Sequence, residues 1–145
     1  MRVGGIALAI GLQIGLPVGL PVGLALAALS AANAGAAENW TKAQPVSVIA
    51  SEYQFSPNKL SFRRGVPYRL HIENRGRELH EFTAPAFFKS VEARSTAVLN
   101  AGKTEIEIPP GTAKDFYFVP LRAGHFGLRC ADHDWAGMVG EITVR

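Results

Sequence analysis

Apolar and polar residues alternate in several short segments of the chain after residue 45. The pattern is clearest over residues 68–73, where Tyr68, Leu70 and Ile72 alternate with polar side chains. Because successive side chains of a β-strand point to opposite faces, this alternation predicts a strand with one buried face. Similar patterns, or runs rich in β-branched and aromatic residues, predict further strands at 46–55, 60–63, 79–83, 105–108, 115–119, 125–130 and 139–144.

Turn-forming residues separate these strands at short intervals. They include SPN at 56–58, NRG at 74–76, PPG at 109–111 and AG at 123–124. Seven to eight short strands at this spacing predict an all-β fold, an antiparallel β-sandwich of the Greek-key kind. Residues 85–103 have only weak helical spacing, and we interpret them as a connection across one edge of the sandwich, with a short helix or turn.

The first 36 residues have the features of a signal peptide. A short positive start at Arg2 precedes an almost uncharged apolar run over 3–29, and small residues follow at 32–36. We therefore expect export to the periplasm and a mature domain at 37–145. Because the apolar run is long for a signal peptide, an uncleaved membrane anchor stays open as the alternative.

The charge of the mature domain is small. Of 15 Lys and Arg residues only Arg2 lies in the first 36, which leaves 14 basic against 12 acidic side chains. These charges are scattered, and the sequence contains no phosphate-binding loop and no basic stripe with interleaved aromatic residues. We therefore expect no nucleic-acid partner, and we expect the domain to be a monomer.

The stretch CADHDWAGM near the C-terminus contains the main candidate chemistry. It places Cys130, His133 and Met138 at the spacing C-x2-H-x4-M. A thiolate, an imidazole and a thioether from one short loop form a soft ligand set, which suits copper better than calcium, magnesium or a four-thiolate zinc site. His80, in ENRGRELHEF, is the candidate for the second imidazole of such a centre.

Cys130 is the only cysteine of the chain, so an internal disulfide is excluded. In an exported protein a free thiol is exposed to oxidation or intermolecular pairing. Metal ligation would both protect Cys130 and explain its presence. A buried, inert cysteine is the alternative.

The segment AGHFGLRCADHDWAGMVGEITVR resembles the C-terminal signature of the cupredoxins, especially the plastocyanin and pseudoazurin type. In that signature a turn glycine leads into the cysteine strand, histidine and methionine follow in one loop, and the last strand reads G-x-I-x-V. The matching positions are Gly124, Cys130, His133, Met138, Gly140, Ile142 and Val144. The upstream segment YQFSPNKLSFRRGVPYRLHIENRGRELHEF is similar to the N-terminal half of the same family.

The resemblance implies a type 1 copper centre with one Cu(I)/Cu(II) ion. His80, Cys130 and His133 would form the trigonal plane, and Met138 would be the weak axial ligand. It also implies a non-enzymatic single-electron carrier between redox partners, such as a cytochrome or a copper oxidoreductase, with His133 as the exposed ligand through which electrons pass. The alternative function is a periplasmic copper-binding or tolerance protein that sequesters or delivers copper.

Three positions depart from the family pattern. Asparagine and serine or threonine commonly join the two ligand segments, but the chain has Glu81 and Ala131 there. A buried, ionised Glu81 near the metal would favour Cu(II); alternatively, Glu81 points to solvent or pairs with Arg129. Trp135 is large for its position in the loop, and it would be either part of the core or part of a docking surface.

Two other histidines and several enzyme classes can be assessed from the sequence. His71 lies on the outward face of its predicted strand and is expected to be solvated, whereas His125 is interpreted as structural, with a role near a metal left open. A dinuclear copper site needs two cysteines in the ligand loop. Multicopper oxidases and copper nitrite reductases need more histidines than the four present. Catalysis is therefore not expected.

Overall fold

Residues 38–145 are described by a computed structural model of the protein, and the signal peptide predicted at 1–36 lies outside them. The described residues form two five-stranded sheets with an apolar core between them, so the predicted β-sandwich is confirmed. Within this range, none of the helices combines the length and the apolar character needed to span a bilayer.

Each sheet contains strands from both halves of the domain. The first sheet has the order β2 (Gln54–Ser56), β1 (Gln44–Ser51), β4 (Tyr68–Asn74), β8 (Ala113–Pro120) and β6 (Val91–Ala93). The second has the order β3 (Lys59–Phe62), β10 (Val139–Val144), β9 (Gly124–Arg129), β5 (His80–Thr83) and β7 (Glu105–Ile108). A short helix, α1, spans Pro85–Phe88, and 3₁₀ turns span Trp40–Lys42 and Asp134–Ala136.

The pairing of the strands differs from the prediction in direction and number. We predicted antiparallel sheets, but β1 pairs with β4 and β3 with β10 in parallel, so both sheets are mixed. The described residues contain ten strands rather than seven to eight. Alternation along one strand reports which face is buried, but it does not report the direction of the neighbouring strand, which depends on distant segments.

Two segments account for the additional strands. The predicted strand at 46–55 is divided into β1 and β2 by a turn at Glu52 and Tyr53. The predicted connection at 85–103 contains α1, which begins with a proline as helices often do, and also β6. A strand of three residues is too short to produce a recognisable alternation.

Aromatic side chains from both sheets meet at the centre of the core. Phe62 of β3 and Phe118 of β8 contact edge to face with ring centroids 5.1 Å apart, and Phe87 of α1 contacts Phe118 at 5.2 Å. Such pairs add to the stabilisation that comes from burial of the rings. The inward face predicted for β4 is confirmed, because Tyr68, Leu70 and Ile72 are 4 %, 0 % and 0 % exposed.

Replacing Phe118 should test this cluster, because its ring is fully buried and contacts residues of both sheets. We expect Phe118→Ala to lower the free energy of unfolding by about 3–5 kcal/mol, and Phe118→Leu to lower it less. Leu121→Ala, at a side chain that is 52 % exposed, is the control and should change it by no more than about 0.5 kcal/mol. Denaturant unfolding of the metal-free domain measures all three; equal losses at the two positions would contradict the assignment of the core.

Candidate metal centre

Three of the four predicted ligands converge at one end of the sandwich. His80 begins β5, Cys130 directly follows β9, and His133 lies in the loop that leads to β10. One nitrogen of each imidazole and the Cys130 sulfur all lie within 4.8 Å of one another. His80 and Cys130 are fully buried and His133 is 9 % exposed, so water can reach the cluster only at the edge of His133.

The loop from Cys130 to Met138 is held by its own backbone. The Cys130 N–H donates to the Met138 carbonyl at 3.0 Å, and the Met138 N–H donates to the His133 carbonyl at 3.3 Å. Gly137 ends the intervening 3₁₀ turn with a φ of 87°, in the left-handed region that glycine adopts without strain. Met138 is fully buried at the end of this loop, next in the chain to β10.

Both imidazoles face the thiol with the same nitrogen. The Nδ1 atoms of His80 and His133 lie 3.9 Å and 3.3 Å from Cys130 Sγ. The opposite Nε2 atoms face carboxylates: His133 Nε2 lies 2.8 Å from Glu78 Oε2, and His80 Nε2 lies 3.6 Å from Glu52 Oε1. A neutral imidazole has one N–H and one lone pair, so an N–H directed at the carboxylate leaves the lone pair of Nδ1 directed at the cluster.

Glu81 is buried beside the thiol, 5 % exposed. The Cys130 thiol donates to Glu81 Oε2 at 2.9 Å, and the same oxygen lies 3.3 Å from the Asp132 N–H. The sequence left open whether Glu81 lies near the metal, points to solvent or pairs with Arg129. In the structure it lies beside the candidate ligand Cys130. Arg129 does not contact it, because Arg129 pairs with Asp134 at 2.8 Å. Glu81 thus links β5 to the ligand loop by bonds of its own.

Burial changes the protonation of two candidate ligands. It raises the pKa of the Cys130 thiol to about 11, and the hydrogen bond to Glu81 adds to this rise. Burial also lowers the pKa of His80, and the neighbouring His133 adds to that decrease. Without metal, the site therefore holds a protonated thiol and a neutral His80 at neutral pH. A metal that binds the sulfur must displace the thiol proton, whereas His80 needs no deprotonation.

Glu52 belongs to the surroundings of the site although it lies 28 positions before His80 in the chain. Its carboxylate accepts the backbone N–H groups of Glu78, at 2.9 Å, and of Arg77, and these bonds lower the pKa of Glu52. Gly76 leaves room for this carboxylate, since a Cβ there would collide with Glu52 Oε1. Sequence reasoning missed both glutamates, because Glu52 reaches His80 only from the folded turn between β1 and β2, and Glu78, in the turn before β5, meets His133 only in the fold.

Of the four candidate ligands, His133 is the one with solvent exposure, 9 %, as predicted, and the aromatic ring beside it limits that exposure. The ring of Tyr53 lies over the His133 ring with centroids 4.9 Å apart, and the Tyr53 hydroxyl donates to Glu78 at 3.2 Å. Trp135, two residues after His133, is far more exposed, at 78 %. Its ring lies 6.1 Å from that of Tyr53, and its Nε1–H donates to the Asp132 carbonyl at 2.9 Å. Tyr53 reaches His133 from the β1–β2 turn, which the sequence pattern did not reveal.

The remaining two histidines lie outside the cluster. His71 is half-buried rather than solvated as predicted: its Nδ1 lies 2.8 Å from Asp115, which also pairs with Arg69. These three residues occupy adjacent strands β4 and β8, where cross-strand neighbours meet. His125 is exposed, with Nδ1 3.2 Å from the hydroxyl of Thr143.

The donor set fits a soft metal. One thiol and two imidazoles converge, and the fully buried thioether of Met138 lies at the end of the same loop. Thiolate and thioether sulfur with imidazole nitrogen are the donors of type 1 copper sites. The site is thus compatible with one copper ion and supports a type 1 copper protein.

Solved structures with the same fold include copper-containing and redox proteins. Auracyanin B is 21 % identical to the chain, with 74 % of this chain and 93 % of that one covered and a TM-score of 0.55. A dithionite-reduced auracyanin from the photosynthetic bacterium Roseiflexus castenholzii is 14 % identical, with coverages of 71 % and 98 % and a TM-score of 0.53. A multicopper oxidase from Campylobacter jejuni is 16 % identical over 76 % of this chain but only 31 % of its own, with a TM-score of 0.56.

The family of the chain follows from a match over most of its length. No curated protein matches the chain. Residues 21–144, however, match the family model described as a cupredoxin-like domain, and the solved structures share its two-sheet fold. The resemblance noted in the ligand loop and in the upstream half is thereby confirmed. The chain belongs to the cupredoxin-like domain family.

Proposed function

We propose that the protein is a type 1 copper protein that carries single electrons between redox partners. His80, Cys130, His133 and Met138 are the proposed ligands. The observation that carries this proposal is the convergence of one thiol and one nitrogen from each of two imidazoles within 4.8 Å, in a site that is almost completely buried. A copper ion held by these residues would supply one-electron redox chemistry.

The residues around the site support electron transfer because they limit movement. His80 lies on a paired strand, and Cys130 and His133 belong to a loop with five internal backbone hydrogen bonds. The Glu81 N–H also donates to Cys130 Sγ at 3.4 Å, which directs a backbone dipole at the sulfur. A site that keeps its donors in place needs little rearrangement when the charge of the bound ion changes.

Partner docking is best supported by the apolar side chains beside the proposed ligands. Leu79 precedes His80, Val139 follows Met138, and Trp135 lies two residues after His133. These three side chains are 37 %, 48 % and 78 % exposed. Each of them lies next to or near a proposed ligand in the chain, and exposed apolar residues around a site are typical of interaction surfaces. We propose that a cytochrome or a copper oxidoreductase docks here, in the periplasm to which the predicted signal peptide would export the chain.

A copper carrier or tolerance protein is less well supported. Such a protein must give up its ion, which suits exposed methionine- or histidine-rich clusters, whereas the proposed ligands here are buried. Catalysis by several coppers also lacks support, because residues 38–145 contain one histidine–cysteine cluster, and His71 and His125 lie away from it.

Visible absorption of the mature domain with added Cu(II) tests the proposed site. We expect an intense thiolate-to-copper band that reductant bleaches and oxidant restores. Cys130→Ala should abolish the band, because no second cysteine can replace the sulfur. His125→Ala is the matched control and should keep the band. Copper binding without a band in the wild type would contradict ligation by Cys130 and would favour the carrier alternative.

Trp135→Ala tests the docking surface. Because Trp135 is exposed and is not a proposed ligand, we expect slower electron exchange with a reduced cytochrome but an unchanged copper spectrum. Leu121→Ala serves as control, since Leu121 is also exposed but precedes β9, at the end of that strand opposite to Cys130. Stopped-flow kinetics provide the rates. Normal exchange in Trp135→Ala, or equal slowing in both variants, would refute this surface.

Glu81→Gln tests the carboxylate beside the thiol. Because Glu81 helps to raise the pKa of Cys130 to about 11, the variant should have a lower thiol pKa in the metal-free protein. Below the thiol pKa the metal competes with a proton for the sulfur, so copper affinity should rise with pH. Because the thiol pKa of Glu81→Gln is lower, its copper affinity should stop rising at a lower pH than that of the wild type. Ultraviolet absorption of the thiolate gives the pKa. Glu92→Gln, at an exposed position, is the control. If the Cys130 pKa were the same in Glu81→Gln as in this control, Glu81 would not be raising it.

A further inference from the structure

Both imidazoles of the site turn their outer nitrogen towards a glutamate. We propose that Glu78 and Glu52 are positioning residues, which orient His133 and His80 with Nδ1 towards Cys130 and thereby favour oxidised over reduced copper. This inference rests on the proposed function, since it concerns the same site. Neither glutamate is a proposed ligand, and neither contacts the thiol within the described residues.

Glu78 is held between a tyrosine and the histidine. Its Oε2 lies 2.8 Å from His133 Nε2, and its Oε1 accepts the Tyr53 hydroxyl at 3.2 Å. The Tyr53 ring lies over the His133 ring, so rotation of the imidazole is opposed by a contact as well as by the carboxylate. An N–H donated to a carboxylate assigns the proton to Nε2 and leaves Nδ1 free to bind a metal.

Glu52 occupies the corresponding place behind His80 at a longer distance. Its Oε1 lies 3.6 Å from His80 Nε2, too far for a hydrogen bond, so Glu52 acts on the neutral imidazole through the field of its negative charge. His80 Nε2 is buried and has no hydrogen-bond partner in the described part of the chain, so Glu52 is the acidic group that faces it. The fixed position of Glu52 comes from the N–H groups of Arg77 and Glu78 and from the space that Gly76 leaves.

The two glutamates are connected to each other. The backbone N–H of Glu78 donates to Glu52 Oε1, while its side chain reaches His133. The turn between β1 and β2 therefore places Glu52 beside His80. It also supports His133, because Glu52 holds the backbone of Glu78 and the Tyr53 ring contacts the His133 ring. A change in this turn would alter the orientation of both imidazoles, although it contains no ligand.

The expected electronic effect follows from charge. A carboxylate that accepts the outer N–H makes the imidazole a stronger donor, and its negative charge stabilises the more positive oxidation state of the metal. Solvent reduces this effect, because the side chains of Glu78 and Glu52 are 48 % and 29 % exposed. Removing one charge should change the ratio of Cu(II) to Cu(I) affinity by a factor of ten at most. This corresponds to a shift of about 59 mV in the midpoint potential of a one-electron couple.

Variants can separate the charge of Glu78 from its hydrogen bond. Glu78→Gln removes the charge but keeps an oxygen that can accept the His133 N–H, and Glu78→Ala removes both. Glu52→Gln removes the second charge. We expect the midpoint potential to rise in all three at one fixed pH, and most in Glu78→Ala. Glu92→Gln, on the exposed face of the edge strand β6, is the charge-matched control and should leave the potential unchanged.

Histidine ¹⁵N NMR of the metal-free protein tests the orienting role without copper. The wild type and Glu78→Gln should hold the His133 proton on Nε2, whereas Glu78→Ala should show a mixture of tautomers. Tyr53→Phe keeps the ring contact and loses only the hydroxyl, so its His133 proton should remain on Nε2.

The outcomes distinguish this inference from the proposed function. If the wild type shows the thiolate band but the potential and the tautomers of the glutamate variants match those of Glu92→Gln, the positioning role is overturned and the copper site stands. If the wild type shows no thiolate band, the proposed function is overturned. The tautomers then still decide whether the glutamates orient the imidazoles.

Discussion

Keeping a thiol, two imidazoles and a carboxylate close together inside a protein is unfavourable, since each loses its hydration. The structure compensates for this loss with hydrogen bonds and rigid packing. Cys130 contacts His80, His133 and Glu81, and its backbone N–H closes the ligand loop on Met138. An unpaired buried polar group costs several kcal/mol in an apolar surrounding, so most polar atoms of these groups are paired with neighbours; His80 Nε2 is the exception among the described residues. The remainder of the fold supplies that support.

The sandwich holds the site by joining parts of the chain that are far apart. The second sheet places β5 beside β9, so His80 and Cys130 meet although fifty positions separate them. The first sheet contributes the turn after β1, from which Glu52 and Tyr53 reach the imidazoles. Aromatic residues of the core pack between the two sheets. Because the site takes residues from both sheets, close packing of this core is needed to keep the site rigid.

The charge around the site departs from the family pattern, whereas the order of exposure follows it. His133 is the candidate ligand with solvent exposure, 9 %, limited by the Tyr53 ring, and Trp135 is the exposed aromatic group beside it. Glu81 lies 2.9 Å from the Cys130 sulfur, and Glu52 and Glu78 lie within 4 Å of the outer nitrogens of the two imidazoles. Negative charge at this distance acts on the oxidation state of a bound metal even where it forms no bond to it.

Sequence alone determined the features that depend on neighbouring residues. The alternation at 68–73 predicted the buried face of β4, and the C-x2-H-x4-M spacing placed three candidate ligands on one loop, because short loops restrict how far apart their side chains lie. The parallel pairs, the division of the strand at 46–55, the surroundings of Glu81 and the cover over His133 were decided by the tertiary structure. These features arise from contacts between segments that are distant in the chain, and no local pattern of hydrophobic and polar residues records which distant segments will meet.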